Sequence, residues 1–272
     1  DILCLLDTLE RPHVEAIIGH DFGAHVAAYA ALIRPDIFRA MVLMSAPFPG
    51  APNRQVEITD PIHKELENLS RPRKHYQWYF STTAANPDMH RCSQGVDQFL
   101  RAYFHQKSGD WTGNNPFPLT AWTAEQLAQM PTYYIMDLNE DMAATVAKEM
   151  PTSSHVKANE WLPERELSIY AKEYDRTGFQ GGLNWYRCRT EGTFHQELDI
   201  FFGSVIKFPA CFIGGELDWG VYQIPYALEK MQSFVCQDLR ALHLVPKAGH
   251  WVQQEQPNAV NKHLLDFLEG LR

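Results

Sequence analysis

"EAIIGHDFGAHVAAYAA", residues 15–31, decides how this chain is read. It opens as a short apolar run suited to a buried strand and ends rich in alanine, the strongest helix former. Between them lies the turn Gly19-His20-Asp21-Phe22-Gly23. Glycines at both ends let a strand bend sharply into a helix without a Cβ collision, and the central residue is raised above the sheet. That residue then sits beside a helix N-terminus, where the dipole and the first N–H groups favour an anion. Turns of this form usually present a serine nucleophile. Here the residue is Asp21. An aspartate helix cap is the ordinary structural use of such a position, so the turn alone leaves two roles open.

The flanking sequence sets the fold class. "DILCLLDTL", "VEAIIG", "GAHVAAYAALIRPD" and "AMVLMSAP" alternate helix, strand, helix, strand over the first 50 residues. The last third repeats the rhythm with "IKFPACFIGGELD", "IPYALEKMQSFV", "LRALHLVPKAGH" and "PNAVNKHLLDFLEGL". Apolar strands separated by helices indicate an α/β fold whose mainly parallel sheet is covered on both faces. Residues 51–200 lose this rhythm. They hold helical patterns such as "TAEQLAQM", with Thr123 as N-cap, and "LPERELSIYAKEYDRTG", ending at Gly178. The middle is also rich in aromatics and prolines. It is expected to be a helical lid inserted between two parts of one core, residues 1–50 and 201–272.

Composition narrows the function classes. The 272 residues are 45% hydrophobic and carry a net charge of −9, with both signs mixed along the chain. That argues against nucleic acid or an anionic membrane as the main partner. No apolar run is long enough to span a bilayer. Cys4, Cys92, Cys188, Cys211 and Cys236 form neither a C-x-x-C pair nor a disulfide framework, which suits reduced thiols in a cytoplasmic setting. The histidines lack metal-ligand spacing and no glycine-rich phosphate loop is present, so no metal, nucleotide or other cofactor is expected.

Two later stretches bear on Asp21. "FIGGELDWG" sets Asp218 just after an apolar strand, and "LVPKAGHW" sets His250 just after the next. The order nucleophile, acid, histidine, each at the carboxyl end of a strand, is that of a hydrolase triad. Glu216, two residues before Asp218, is a competing acid. The strand ending "VLMSAP" offers no carboxylate. His20, within the turn, is expected to brace it.

An aspartate nucleophile selects a particular electrophile. A carboxylate is ionised at pH 7 without a base, but its attack on an ester or amide would give an unfavourable anhydride. Attack on an sp³ carbon bearing a leaving group gives a stable ester. An epoxide and an alkyl halide both qualify, and His250 would then activate the water that hydrolyses the ester, oriented by Asp218. An epoxide oxygen leaves as an alkoxide and needs proton donors, a task suited to neutral tyrosines.

Together "GHDFG", "HYQWYF", "GFQGGLNWYR", "GELD" and "AGHW" resemble the epoxide hydrolases of the α/β-hydrolase fold, over essentially the whole chain. The resemblance implies an enzyme whose substrates are a small hydrophobic epoxide and water. It implies that Tyr186 and Tyr76 are the ring-opening tyrosines, with Tyr79 the alternative to Tyr76, and that the backbone N–H of Phe22 contributes to the oxyanion hole. Two departures stand out. Members commonly have Trp after the nucleophile, and haloalkane dehalogenases hold the halide with that indole; Phe22 therefore weakens the dehalogenase alternative. The family also carries strands and an H-G-x-P loop ahead of this point, so an upstream segment is expected to be missing, and with it the first strands. A non-catalytic binding protein on the same scaffold is the remaining alternative, and a broken triad would be its mark.

Overall fold

The structure is a computed structural model that describes residues 1–51 and 61–271. It divides into two compact units, Asp1–Arg54 with Glu197–Arg272, and Gln55–Gln196. The sequence boundary of the insert, at residue 51, runs into positions 52–60, outside the described residues.

In the first unit, Ile17–His20 (β1), Met41–Met44 (β2), Ala210–Gly215 (β3) and Leu239–Val245 (β4) form a parallel sheet in that order. Parallel neighbours need a crossover. Helix Phe22–Ile33 supplies the one from β1 to β2. β2 and β3 are buried at every position, as expected of strands covered on both faces. Side chains alternate between those faces. Met41, Leu43 and Phe212 join Ala24, Ala27, Ala28 and Ala31 of the crossover helix, whereas Val42, Met44, Cys211 and Ile213 join Val260 and Phe267 of helix Pro257–Glu269. Alanine on the crossover helix brings it close to the strands, which places the start of that helix directly at their tips.

One expected helix is cut short. "IPYALEKMQSFV" has only Ala227–Lys230 in α form, followed by a π-helical turn at Met231–Val235. Tyr226 holds a left-handed backbone, φ 60°, so the helix cannot begin before it.

The second unit is mainly helical, with Tyr76–Ser81, Gly95–Lys107, Glu164–Thr177 and Gln180–Thr190 among its helices. It also contains an antiparallel ribbon that the helical patterning did not anticipate, pairing Arg73–His75 with Ile135–Asp137. Tyr76 N–H continues the pairing to the Tyr134 carbonyl at 2.8 Å before the chain turns helical. Thr123 accepts from Gln126 N–H at the start of its helix. Gly178 ends helix Glu164–Thr177 at φ 64°, a conformation that favours glycine. Among the described residues no helix is long and apolar enough to cross a membrane.

Candidate active site

The turn at Gly19–Gly23 is tight for a reason visible at one atom. A Cβ on Gly19 would lie 2.0 Å from the carbonyl oxygen of Gly23. At Gly23, by contrast, nothing lies within 4 Å of such a Cβ. The strand and helix therefore close on the α-carbon of Gly19, and Gly23 contributes its backbone; the sequence reading gave both glycines the same steric duty. Asp21 takes up the resulting bend at φ 55° and ψ −124°, a sparsely populated conformation that costs about 1–3 kcal/mol. Its backbone N–H is held by the Met44 carbonyl at 3.1 Å. Its side chain makes no capping hydrogen bond to the helix that it precedes, so the ordinary structural use of an aspartate here is not the one observed.

His250 is buried in the loop after β4, 1% exposed. Its Nδ1 lies 3.2 and 3.3 Å from the two carboxylate oxygens of Asp218, and its Nε2 lies 3.7 Å from Oδ2 of Asp21. A carboxylate only accepts, so Nδ1 carries the proton and Nε2 presents a lone pair towards Asp21. Asp218, also 1% exposed, is held in turn by Gly220 N–H at 2.7 Å. Between the two acids considered, it is Asp218 that meets His250; Glu216 is exposed.

Three residues that fix the histidine loop escaped the sequence reading or gain a definite task. Ser45, fully buried at the tip of β2 with φ 65°, donates its hydroxyl to the His250 carbonyl at 3.1 Å. His20 Nε2 meets the same carbonyl at 2.7 Å, which makes it the donor. Burial first, then the neighbouring His250, lowers the His20 pKa, so this ring stays neutral and braces the turn. Glu255 grips both sides of the histidine, accepting Gly249 N–H and Trp251 N–H at 3.0 Å each. The signals were slight. A serine at a strand tip and a glutamate five residues past the histidine are each commonplace, and only the folded loop gives them meaning.

The tyrosines belong to the second unit. Tyr76 and Tyr186 pack edge to face, ring centroids 5.8 Å apart, with Phe80 against both at 5.6 and 5.1 Å. The Tyr76 oxygen accepts from Gln77 Nε2 at 3.1 Å. Tyr79 has another occupation, donating to Asp88 at 2.9 Å. Burial and that bond raise its pKa. Of the two tyrosines left open in "HYQWYF", Tyr76 is the one beside Tyr186. Phe22, at the first position of the crossover helix, is 40% exposed.

Known proteins resemble this chain along nearly all of its length. The alpha/beta hydrolase fold family matches residues 1–257. Epoxide hydrolase B of Mycobacterium tuberculosis is 28% identical over 285 residues, an alignment covering 100% of this chain and 76% of that protein. The solved structure of an epoxide hydrolase from an endophytic Streptomyces superposes with a TM-score of 0.77 at 27% identity, covering 98% of this chain and 71% of that one. Epoxide hydrolase A from Mycobacterium thermoresistibile gives 0.70 at 28% identity, covering 100% and 74%.

Proposed function

Because the chain belongs to the alpha/beta hydrolase fold family, we propose that it is an epoxide hydrolase, converting a small hydrophobic epoxide and water to a vicinal diol through an aspartyl ester. One observation carries the reading: His250 stands between two carboxylates, Nδ1 at 3.2 Å from Asp218 and Nε2 at 3.7 Å from Asp21. The likeness to epoxide hydrolases along the whole chain supports it.

In this reading an oxygen of Asp21 attacks an epoxide carbon from the side opposite the ring oxygen. The carbon–oxygen bond breaks, and Tyr76 and Tyr186 stabilise and protonate the departing alkoxide. A hydroxyalkyl ester of Asp21 results. His250 Nε2 then takes a proton from water, which adds to the ester carbonyl carbon, with Phe22 N–H stabilising the oxyanion. Collapse of the tetrahedral intermediate releases the diol as the leaving alkoxide takes the proton held by His250. The proton of the resulting Asp21 acid restores the tyrosine that was left as a phenolate, so the carboxylate is regenerated. Asp218 holds the tautomer and stabilises the imidazolium throughout. Residues 51–200 act as the lid in this reading, no cofactor takes part, and the dispersed cysteines suit a cytoplasmic setting. Haloalkane dehalogenation from the same aspartate is less well supported, since Phe22 has no indole N–H for a halide.

The experiment replaces His250 by glutamine. Alkylation should survive while ester hydrolysis stops, so intact mass spectrometry after incubation with styrene oxide should show protein plus one substrate mass. Turnover at the unmodified rate would remove His250 from the reaction.

A further inference from the structure

The phenol of Tyr76 is the acceptor of a side-chain hydrogen bond that ring opening by itself does not require. A tyrosine hydroxyl has one proton to give and two lone pairs to receive with. Gln77 Nε2, on the adjacent residue of the same helix, occupies one of those lone pairs at 3.1 Å. Both residues are buried, Tyr76 at 4% and Gln77 at 9% exposure, and the bond is therefore made in a low-dielectric setting where it counts for more than in water. The backbone of Gln77 is pinned as well. Its N–H is received by Nδ1 of His75 at 3.3 Å, closing the first turn of helix Tyr76–Ser81. The His75 ring lies over Tyr76, centroids 5.2 Å apart and 26° from parallel.

We infer that Gln77 is a positioning residue for proton donation by Tyr76. Its amide takes up one lone pair of the phenol oxygen, directs the hydroxyl proton away from the helix, and favours the phenolate left when that proton is given to the ring oxygen of an epoxide. Two consequences follow together. A phenol that accepts a hydrogen bond is the stronger donor, so the amide speeds ring opening at neutral pH. A phenolate that accepts the same bond is more stable, so the amide also brings down the pH at which Tyr76 loses its proton. This inference rests on the assignment of Tyr76 as a ring-opening donor.

Single-turnover reaction of the full-length protein with styrene oxide, quenched at intervals and read by intact mass, separates ester formation from ester hydrolysis. Glutamate at 77 keeps the reach but only accepts, so it draws the phenol's own proton. Gln77→Glu should therefore slow ester formation on the order of 10²-fold, as loss of an oxyanion donor does. Gln77→Leu should slow it roughly tenfold at pH 7, the worth of about one hydrogen bond, while moving the alkaline fall of the rate to higher pH. Slower yet persisting to higher pH is a combination that simple misfolding does not produce. Ester hydrolysis, which depends on His250, should stay within about twofold, and Gln77→Leu should add nothing in a Tyr76→Phe background. The inference is overturned if Gln77→Glu forms ester at nearly the original rate, if both steps slow alike, or if the alkaline limb stays in place. Tyr76→Phe distinguishes the causes. If it alone slows ester formation while the Gln77 variants do not, only the role of Gln77 fails. If it leaves ester formation unchanged, the assignment of Tyr76 fails and the role of Gln77 with it.

Discussion

Residue 21 holds a conformation that most side chains avoid, φ 55°, and that bend depends on the α-carbon of Gly19 more than on Asp21 itself. The two glycines of the turn should accordingly behave differently. Gly19→Ala puts a methyl group 2.0 Å from a backbone oxygen that cannot move aside, and is expected to cost on the order of 3 kcal/mol in urea unfolding and to abolish turnover. Gly23→Ala meets nothing within 4 Å and should keep its stability within about 1 kcal/mol, alanine being the better helix former. Equal effects of the two changes would contradict this account of the turn. Sequence alone could not separate them, because G-x-D-x-G is symmetric on the page and its sterics are not. The choice between Tyr76 and Tyr79 had the same character. They lie three residues apart, on neighbouring positions of one helix face, and only the location of Asp88 tells that the Tyr79 phenol gives its proton to a carboxylate.

At the scale of elements, the strand–helix junction at His75 carries a pH dependence. Burial, with Arg189 and His63 nearby, pushes the His75 pKa down from 6.5 to about 3. The neutral ring also accepts Gln77 N–H, which a doubly protonated ring cannot do. A group whose pKa is lower folded than unfolded binds its proton preferentially in the unfolded chain. Its contribution to stability is thus complete above pH 6.5 and declines as pH falls from there towards 3. His75→Asn retains a capping acceptor and lacks the titration. The variant should start less stable than the parent near pH 7.5, because the buried ring's packing on Tyr76 is lost. It should lose less further stability on acidification to pH 5, measured by thermal melts across that range. Identical slopes would show that His75 is not the group responsible. Helices with clear boundaries, such as Glu164–Thr177 closed by Gly178, were legible beforehand from their caps. The ribbon Arg73–His75 with Ile135–Asp137 was not, since strands of three residues have no periodicity to detect and their partner lies some sixty positions away.

For the whole molecule, the legible features were those that repeat. Apolar strands alternating with helices at both ends of the chain announced the parallel sheet of β1 to β4, and Asp21, Asp218 and His250, far apart in sequence, meet at the strand tips with His250 between the two carboxylates. What holds the histidine loop was hidden, because Ser45 and Glu255 reach it from other segments of the chain. In the proposed mechanism that loop serves Asp21, whose carboxylate becomes an ester and is restored in each cycle. The most direct measurement is a single turnover of excess full-length enzyme with styrene oxide in ¹⁸O-water, followed by peptide mass spectrometry. Water that attacks the aspartyl carbonyl leaves its oxygen in the protein, so the peptide containing Asp21 should gain label while the first diol released carries none from the solvent. Label in the diol and none in Asp21 would mean that water opens the epoxide directly, and would contradict the account.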